Sequence, residues 1–196
     1  MGGKGSMGGM GRMALSRAKS ADLSGASVLS TGSHAIPAPP TRPALPAESP
    51  PSITITRSFA APVTDVFAAW TDAATMRGWL APDPCVVLEA TADARLGGAY
   101  RIVVRDPMGH THVTTGEYRE IVRDRRLVKT WVYEGPFHAD RYPTVLTIDF
   151  RATGPRSTEI TLRQDQLITQ EDREGNREGW RLCFAKLDRA LTRAGG

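Results

Sequence analysis

Cysteine and long apolar runs are both scarce in this sequence of 196 residues. The two cysteines, Cys85 and Cys183, stand far apart and fit no metal-ligand spacing, so we predict no metal site and a reduced compartment. No stretch approaches the roughly 18 apolar residues of a transmembrane helix. Residues 1–30 also lack the apolar run of a secretory signal. We therefore expect a cytoplasmic protein without membrane insertion.

Aromatic residues are absent from the first quarter of the chain. The first is Phe59, whereas residues 1–51 hold seven of the fourteen prolines and eight of the nineteen glycines. Such a segment cannot bury enough apolar surface to offset the entropy of ordering it. We predict a disordered low-complexity tail with a proline-rich linker over residues 1–51, and one domain over residues 52–194. The basic, Ala/Ser-rich start leaves a transit peptide, a flexible tail and a misplaced start codon open.

Without the N-terminal tail, the chain has almost no excess of positive or negative charge. The formal net charge of the chain is +4, but residues 1–50 carry five basic against two acidic residues, which leaves twenty against nineteen for the remainder. A nearly neutral domain lacks the basic surface that phosphate backbones require. We therefore do not expect nucleic-acid binding.

The domain shows a clear order of periodic segments. Ser52–Phe59 alternates with period two and predicts a strand. Apolar residues at helical spacing predict a short helix from Pro62 to Trp70, and Thr71 or Asp72 can cap a second one. Six strand candidates with short connections follow, which favours an antiparallel sheet. They are Val86–Ala90, Ala99–Arg105, His110–Val122, Leu127–Tyr133, Thr144–Arg151 and Thr158–Gln164.

An amphipathic helix closes the chain. It is predicted from Asp172 or Asn176 to Thr192. A curved antiparallel sheet and a single long helix must bury their apolar faces against each other. The sequence therefore predicts an α+β wrap, in which the gap between sheet and helix is a natural ligand cavity. The apolar stripe of the helix consists of Trp180, Cys183, Phe184, Leu187 and Leu191.

Seven segments, in this order, resemble one known family. They are Phe59–Asp72, Trp79 with Pro82, Asp93–Gly98 ahead of Tyr100, Gly116–Ile121, Leu127–Trp131, Thr158–Leu162, and Gly179–Trp180 with Leu187 and Leu191. The sequence resembles the activator-of-heat-shock-ATPase-like branch of the START-like (SRPBCC) superfamily. The resemblance implies an α+β helix-grip (START-like) fold, with a curved antiparallel β-sheet wrapped around a long C-terminal helix.

The resemblance also implies a range of functions. Members of the superfamily bind lipids, hormones, polyketides and other hydrophobic molecules, and some are enzymes. The leading hypothesis is a small hydrophobic ligand held between sheet and helix, without catalysis and without a cofactor. One alternative is a polyketide cyclase/dehydratase or hydrolase acting on an aromatic substrate. The other is a co-chaperone-like module that contacts a chaperone ATPase, although the additional N-terminal domain of the eukaryotic namesake is replaced here by the tail.

The predicted ligand contacts are mostly aromatic. In START-like folds the position of Trp79 lies at the cavity mouth, and Trp131 suits a cavity wall. Lys129 would share the face of Trp131, so a bulge or an edge position there is left open. Core packing is the alternative for each tryptophan. The full set of predicted ligand-binding residues is Trp79, Tyr100, His112, Tyr118, Trp131 and Phe184.

His112 is the one candidate for catalysis. Alternation places it on the same strand face as Gly116 and Tyr118, whereas Glu117 lies on the opposite face and makes a poor partner. His110 and His112 could chelate a metal, but no third ligand is evident, and a solvated pair is expected. Gly116 predicts a bend of the strand or space for a ligand, and the segment from residue 134 to 143 is a lid or a plain surface loop.

Overall fold

The computed structural model describes residues 51–136 and 143–194 of the chain. In these ranges the element order confirms the predicted α+β architecture. The predicted tail and most of the predicted lid lie outside the described residues. The elements are β1 (Ser52–Phe59), α1 (Val63–Thr71), α2 (Ala73–Met76), β2 (Val86–Ala92), β3 (Ala99–Arg105), β4 (Thr111–Val122), β5 (Arg126–Glu134), β6 (Thr144–Gly154), β7 (Ser157–Asp165) and α3 (Gln170–Ala194).

Capping side chains set the starts of two helices. Asp72 accepts a hydrogen bond from the Thr75 backbone N–H at 2.8 Å and so starts α2 where the sequence predicted a cap. α3 begins earlier than predicted because Thr169 and Asp172 cap each other's backbone N–H groups, at 3.0 and 3.2 Å. α2 ends at Met76, and Trp79 lies in the turn that follows it.

The seven strands form one antiparallel sheet in the order β1-β7-β6-β5-β4-β3-β2. Two glycines allow a tight turn before β3. Gly97 has a φ of 74°, and a Cβ on Gly98 would lie 1.9 Å from the Asp93 carbonyl oxygen. Asp93 and Arg95 hold this turn by an exposed ion pair of 2.8 Å. Even α3, the longest described helix, lacks the apolar stretch that spanning a membrane would take.

The concave face of the sheet divides into two regions. What we call the aliphatic half lies on β1, β6 and β7 and is defined by Ile53, Leu146, Ile148, Ile160 and Leu162, all buried. What we call the titratable half lies on β3, β4 and β5 and is defined by Tyr100, His112, Tyr118, Lys129 and Tyr133. Both regions pack beneath the helices, but only the second directs titratable side chains into the described interior.

Candidate ligand-binding site

Strand register brings most of the predicted contact residues onto one face. Tyr118 pairs directly with Lys129 across β4 and β5, and Lys129 pairs with Leu146 across β5 and β6. Residues opposite each other in a ladder point to the same side of a sheet. The regular ladder carries Trp131 to this face as well, and the nearby register shift lies on β4, after Tyr118. Lys129 therefore faces inward without any bulge of its own strand.

Four aromatic rings enclose the Lys129 side chain, which is fully buried. Its Nζ lies 4.4 Å from the centroid of the Tyr100 ring and 5.8 Å from that of Tyr118. The centroids of Trp70 and Trp131 lie at 5.3 and 5.7 Å. These distances are within the range of cation–π attraction. We call this arrangement the Lys129 enclosure.

Burial shifts the titration of the groups in the Lys129 enclosure. It lowers the pKa of Lys129 to about 7, because an ammonium loses its hydration there. It raises the pKa values of Tyr100 and Tyr118, whose phenols therefore stay protonated. The Tyr100 hydroxyl donates to the Thr130 carbonyl oxygen at 2.6 Å, and the Tyr118 hydroxyl donates to the Trp70 carbonyl oxygen at 3.3 Å.

Two other predicted contact residues lie in the packing between helices and sheet. Trp79 has no exposed surface, its Nε1 donates to the Ala69 carbonyl oxygen at 2.9 Å, and its ring meets Trp70 edge-on at 4.8 Å. Phe184 on α3 stacks against Trp180 with ring centroids 5.8 Å apart. The structure thus places Trp79 inside the core and not at a mouth, and a ligand contact there stays a prediction.

His112 lies in a polar cluster at the end of the titratable half. Its Nε2 is 3.2 Å from Asp106 Oδ2, its Nδ1 is hydrogen-bonded to the Tyr133 hydroxyl, and His110 Nδ1 is 3.0 Å from the same carboxylate oxygen. Only 6% of His112 is exposed, so the expectation of a solvated histidine pair is wrong for this residue. The turn before β4 brings Asp106 back over the strand, which spacing alone did not indicate.

Charge and burial shift the pKa values of Asp106 and Tyr133 in this cluster. Burial alone would raise the pKa of Asp106, but hydrogen bonds from His110 and His112 hold it well below its usual range. Burial and the Asp106 charge raise the pKa of Tyr133 to about 12. The group is an ionised carboxylate, an imidazole and a protonated phenol in contact. Within residues 51–136 and 143–194, no three side chains are grouped so that they could hold a metal ion.

Gly116 does not leave room for a ligand. A Cβ at this position would lie 2.0 Å from the Thr130 carbonyl oxygen and 2.7 Å from Cε1 of Tyr100. The ring of Tyr100 therefore occupies the space beside Gly116 that was predicted for a bound molecule. Glycine is needed here because the Tyr100 side chain crosses β4 to reach β5.

A surface groove of about 430 Å³ opens between β1 and α3. This volume is in the range of small-molecule sites. Phe184, which also packs against Trp70 and Trp180, is one of its lining residues. The other lining residues are Thr54, Ile55, Thr56, Arg57, Glu174, Arg177, Glu178 and Arg181.

Lys129, Asp106 and Tyr133 are site residues that sequence reasoning did not select. A compositional signal did exist for Lys129, because the chain has four lysines against twenty-one arginines. A lysine at an inward strand position is therefore a departure from the usual basic residue of this chain. Asp106 and Tyr133 carry no such signal, since their meeting depends on how the β3–β4 turn folds back.

Comparisons with known proteins agree with this geometry. Residues 60–192 match the family described as activator of Hsp90 ATPase homolog 1-like protein. No curated protein matches the chain. A solved structure from Chromobacterium violaceum is 27% identical and covers 72% of this chain and 98% of its own, with a TM-score of 0.63. One from Silicibacter pomeroyi, described as AHSA1, is 20% identical, covers 74% and 99%, has a TM-score of 0.65, and shows likeness of fold alone.

Proposed function

The chain belongs to the family of activator of Hsp90 ATPase homolog 1-like proteins, and from this premise we propose that it binds a small hydrophobic molecule between its curved sheet and α3, without catalysis. The observation that carries the proposal is the titratable half. Tyr100, His112, Tyr118 and Lys129 are turned into the interior, where a purely structural core would be served by aliphatic side chains. We propose the cytoplasm as the place of binding.

Binding energy would come mainly from apolar contact. Burial of ligand surface contributes roughly 25 cal/mol per Å² before the entropy of association is subtracted. Tyr100 and Tyr118 would orient the molecule as hydrogen-bond acceptors, because their hydroxyl groups already donate to main-chain carbonyl oxygens, and His112 would be the third polar contact. Trp131 and His112 keep 9% and 6% of their surface exposed, whereas Trp70 and Lys129 keep none. This gradient supports entry from the His112 end of the titratable half.

Native mass spectrometry of the protein purified from its own host tests the proposal. We expect a reproducible extra mass that disappears on denaturation. A Trp131→Ala variant should lose this mass, whereas the surface variant Arg151→Ala should keep it. A clean ligand-free mass for the wild type would contradict the proposal and favour the enzymatic or the chaperone-binding alternative.

The Asp106–His112–Tyr133 cluster favours an enzyme as the second candidate. An imidazole held between a carboxylate and a phenol can pass a proton, which cyclisation, dehydration and hydrolysis of aromatic substrates all require. The His112→Gln variant keeps much of the shape and removes the titrating group. Wild type and variant would be incubated with a small-molecule extract of the host. A compound consumed by the wild type alone would support catalysis, and identical profiles would count against it.

A further inference from the structure

Two buried donors in the described interior have no acceptor. They are Nζ of Lys129 and Nε1 of Trp70, and among the side chains that the structure describes no other buried polar atom is unpartnered. Both groups belong to the Lys129 enclosure, since Nζ lies 5.3 Å from the centroid of the Trp70 ring. Buried polar groups are nearly always hydrogen-bonded, so unpartnered donors on two side chains in contact require an explanation.

The rings of the enclosure do not supply what is missing. Their faces attract a cation, but they offer no anion to pair with it. The hydroxyls of Tyr100 and Tyr118 are directed to main-chain carbonyl oxygens and away from the ammonium. No carboxylate of the described residues pairs with Lys129. What the enclosure lacks is a negatively charged group with more than one acceptor atom.

The use of lysine at position 129 also indicates a missing anionic partner. The other lysine of the described domain, Lys186, binds Asp83 Oδ1 at 3.2 Å and the Ala81 carbonyl oxygen at 3.1 Å. A compact ammonium is a point charge that a single carboxylate can satisfy, whereas a guanidinium needs partners for five N–H groups. Lysine at position 129 therefore suits an enclosure completed by one small anionic group.

We propose that the bound molecule is an apolar acid whose carboxylate accepts hydrogen bonds from Lys129 Nζ and Trp70 Nε1. This inference rests on the proposed function, which supplies the apolar part of the ligand. The acid's hydrocarbon or aromatic body would lie against Trp131, the ring of the Lys129 enclosure that keeps the most exposed surface. The carboxylate would remove both vacancies at once, and charge-assisted hydrogen bonds of this kind are about twice as strong as neutral ones.

Isothermal titration calorimetry with two matched probes tests the proposal. Naphthoic acid and naphthalenemethanol share a ring system and differ in charge. We expect the wild type to prefer the acid by about tenfold or more, because a hydrogen bond to a charged group contributes more than one to a neutral group. Lys129→Met should abolish the preference, because the charged hydrogen bond to the acid is lost. Lys186→Met, which removes a lysine outside the enclosure, should keep it.

A second variant separates the two donors. Trp70→Phe keeps an aromatic ring and removes the indole N–H, so its acid preference should fall by about threefold to tenfold. Far-ultraviolet circular dichroism and thermal unfolding would verify the fold of each variant. The wild-type comparison of acid and alcohol stands even if a variant does not fold.

The outcomes distinguish the two proposals. Equal binding of acid and alcohol by the wild type, or an acid preference that survives Lys129→Met, overturns the acid inference and leaves hydrophobic binding in place. Failure of both probes to bind at millimolar concentration overturns the inference together with the proposed function. An acid preference that disappears in Lys129→Met and persists in Lys186→Met supports both.

Discussion

The aliphatic half and the titratable half belong to one sheet, yet their inward side chains differ in polarity and in hydrogen bonding. On β1, β6 and β7, the buried polar side chains Thr144, Thr158 and Gln164 are all hydrogen-bonded, and the residues that define this half are apolar. On β3, β4 and β5, Lys129 is buried with no partner and His112 lies in a titratable cluster. The first region satisfies every requirement of a structural core. The second retains groups that do not stabilise the fold by themselves, which is typical of a binding site.

The largest expected contrast is in stability. Ile148→Ala in the aliphatic half should lower the free energy of unfolding by about 2–5 kcal/mol, because it removes fully buried methyl groups and leaves a cavity. Lys129→Met in the titratable half should cost nothing or stabilise, since it replaces an unpaired buried amine by an apolar chain of similar length. Urea unfolding of the two variants measures both values. A loss for Lys129→Met as large as that for Ile148→Ala would show that Lys129 is a structural residue.

The pH dependence of stability comes next in size. The pKa of Lys129 is about 7 in the folded protein, against 10.5 for a fully hydrated lysine, so the unfolded chain binds more protons between these values. Stability should therefore rise from pH 7 to pH 9, by at most about 1.4 kcal/mol per pH unit, and this contribution should be constant below pH 7. Above that window, the raised pKa values of Cys183, Tyr100 and Tyr118 act in the opposite direction.

The Lys129→Met variant isolates this contribution. The unfolding free energy of the wild type minus that of the variant should increase as the pH rises from 7 to 9, because only the wild type gains stability there. Denaturant unfolding at three pH values is sufficient. A difference that does not change with pH would mean that the Lys129 ammonium is charged and compensated in the folded state.

A matched pair of glycines tests how tightly the titratable half is packed. Gly116→Ala should destabilise by about 1–3 kcal/mol, because its Cβ would collide with the Thr130 carbonyl oxygen and the Tyr100 ring. Gly154→Ala should be close to neutral, since the nearest side-chain atom, Ser157 Cβ, is 3.7 Å away. Thermal unfolding compares them. Equal effects would mean that the Thr130 carbonyl group and the Tyr100 ring can both move aside at little cost.

The sequence predicted the aliphatic half better than the titratable half, for a physical reason. Alternation on Thr144–Arg151 and Thr158–Gln164 assigns an inward face directly, because apolar burial repeats with the strand period. Lys129 breaks that pattern, so alternation alone does not decide between an inward position and a bulge. Asp106 meets His112 through a turn, and no periodicity describes such a contact. The family resemblance predicted Trp79 at a cavity mouth. In the structure, a buried hydrogen bond to the Ala69 carbonyl oxygen holds Trp79 in the core.

The smallest expected effect lies at the border of the two halves. A chain of hydrogen bonds crosses it: Trp180 Nε1 donates to Gln164 Oε1 at 2.9 Å, Gln164 Nε2 donates to Thr144 Oγ1 at 3.0 Å, and Thr144 Oγ1 donates to the Trp131 carbonyl oxygen at 3.1 Å. Thr144→Val keeps the shape and removes the last two bonds, so we expect a loss of about 1 kcal/mol per bond.

This chain of hydrogen bonds joins α3 to the strand that carries Trp131. Its removal therefore tests whether the border between the two halves serves stability alone or also ligand binding. If it only stabilises the core, Thr144→Val should lower the unfolding free energy and leave probe binding unchanged. If it also holds Trp131 in place for a ligand, the affinity for naphthoic acid should fall as well. Thr153→Val is the control, because the Thr153 hydroxyl bonds the Ser157 hydroxyl on the exposed β6–β7 hairpin. A binding loss for Thr144→Val alone would place the border of the ligand site at this hydrogen bond, with Trp131 on the binding side and Gln164 on the structural side.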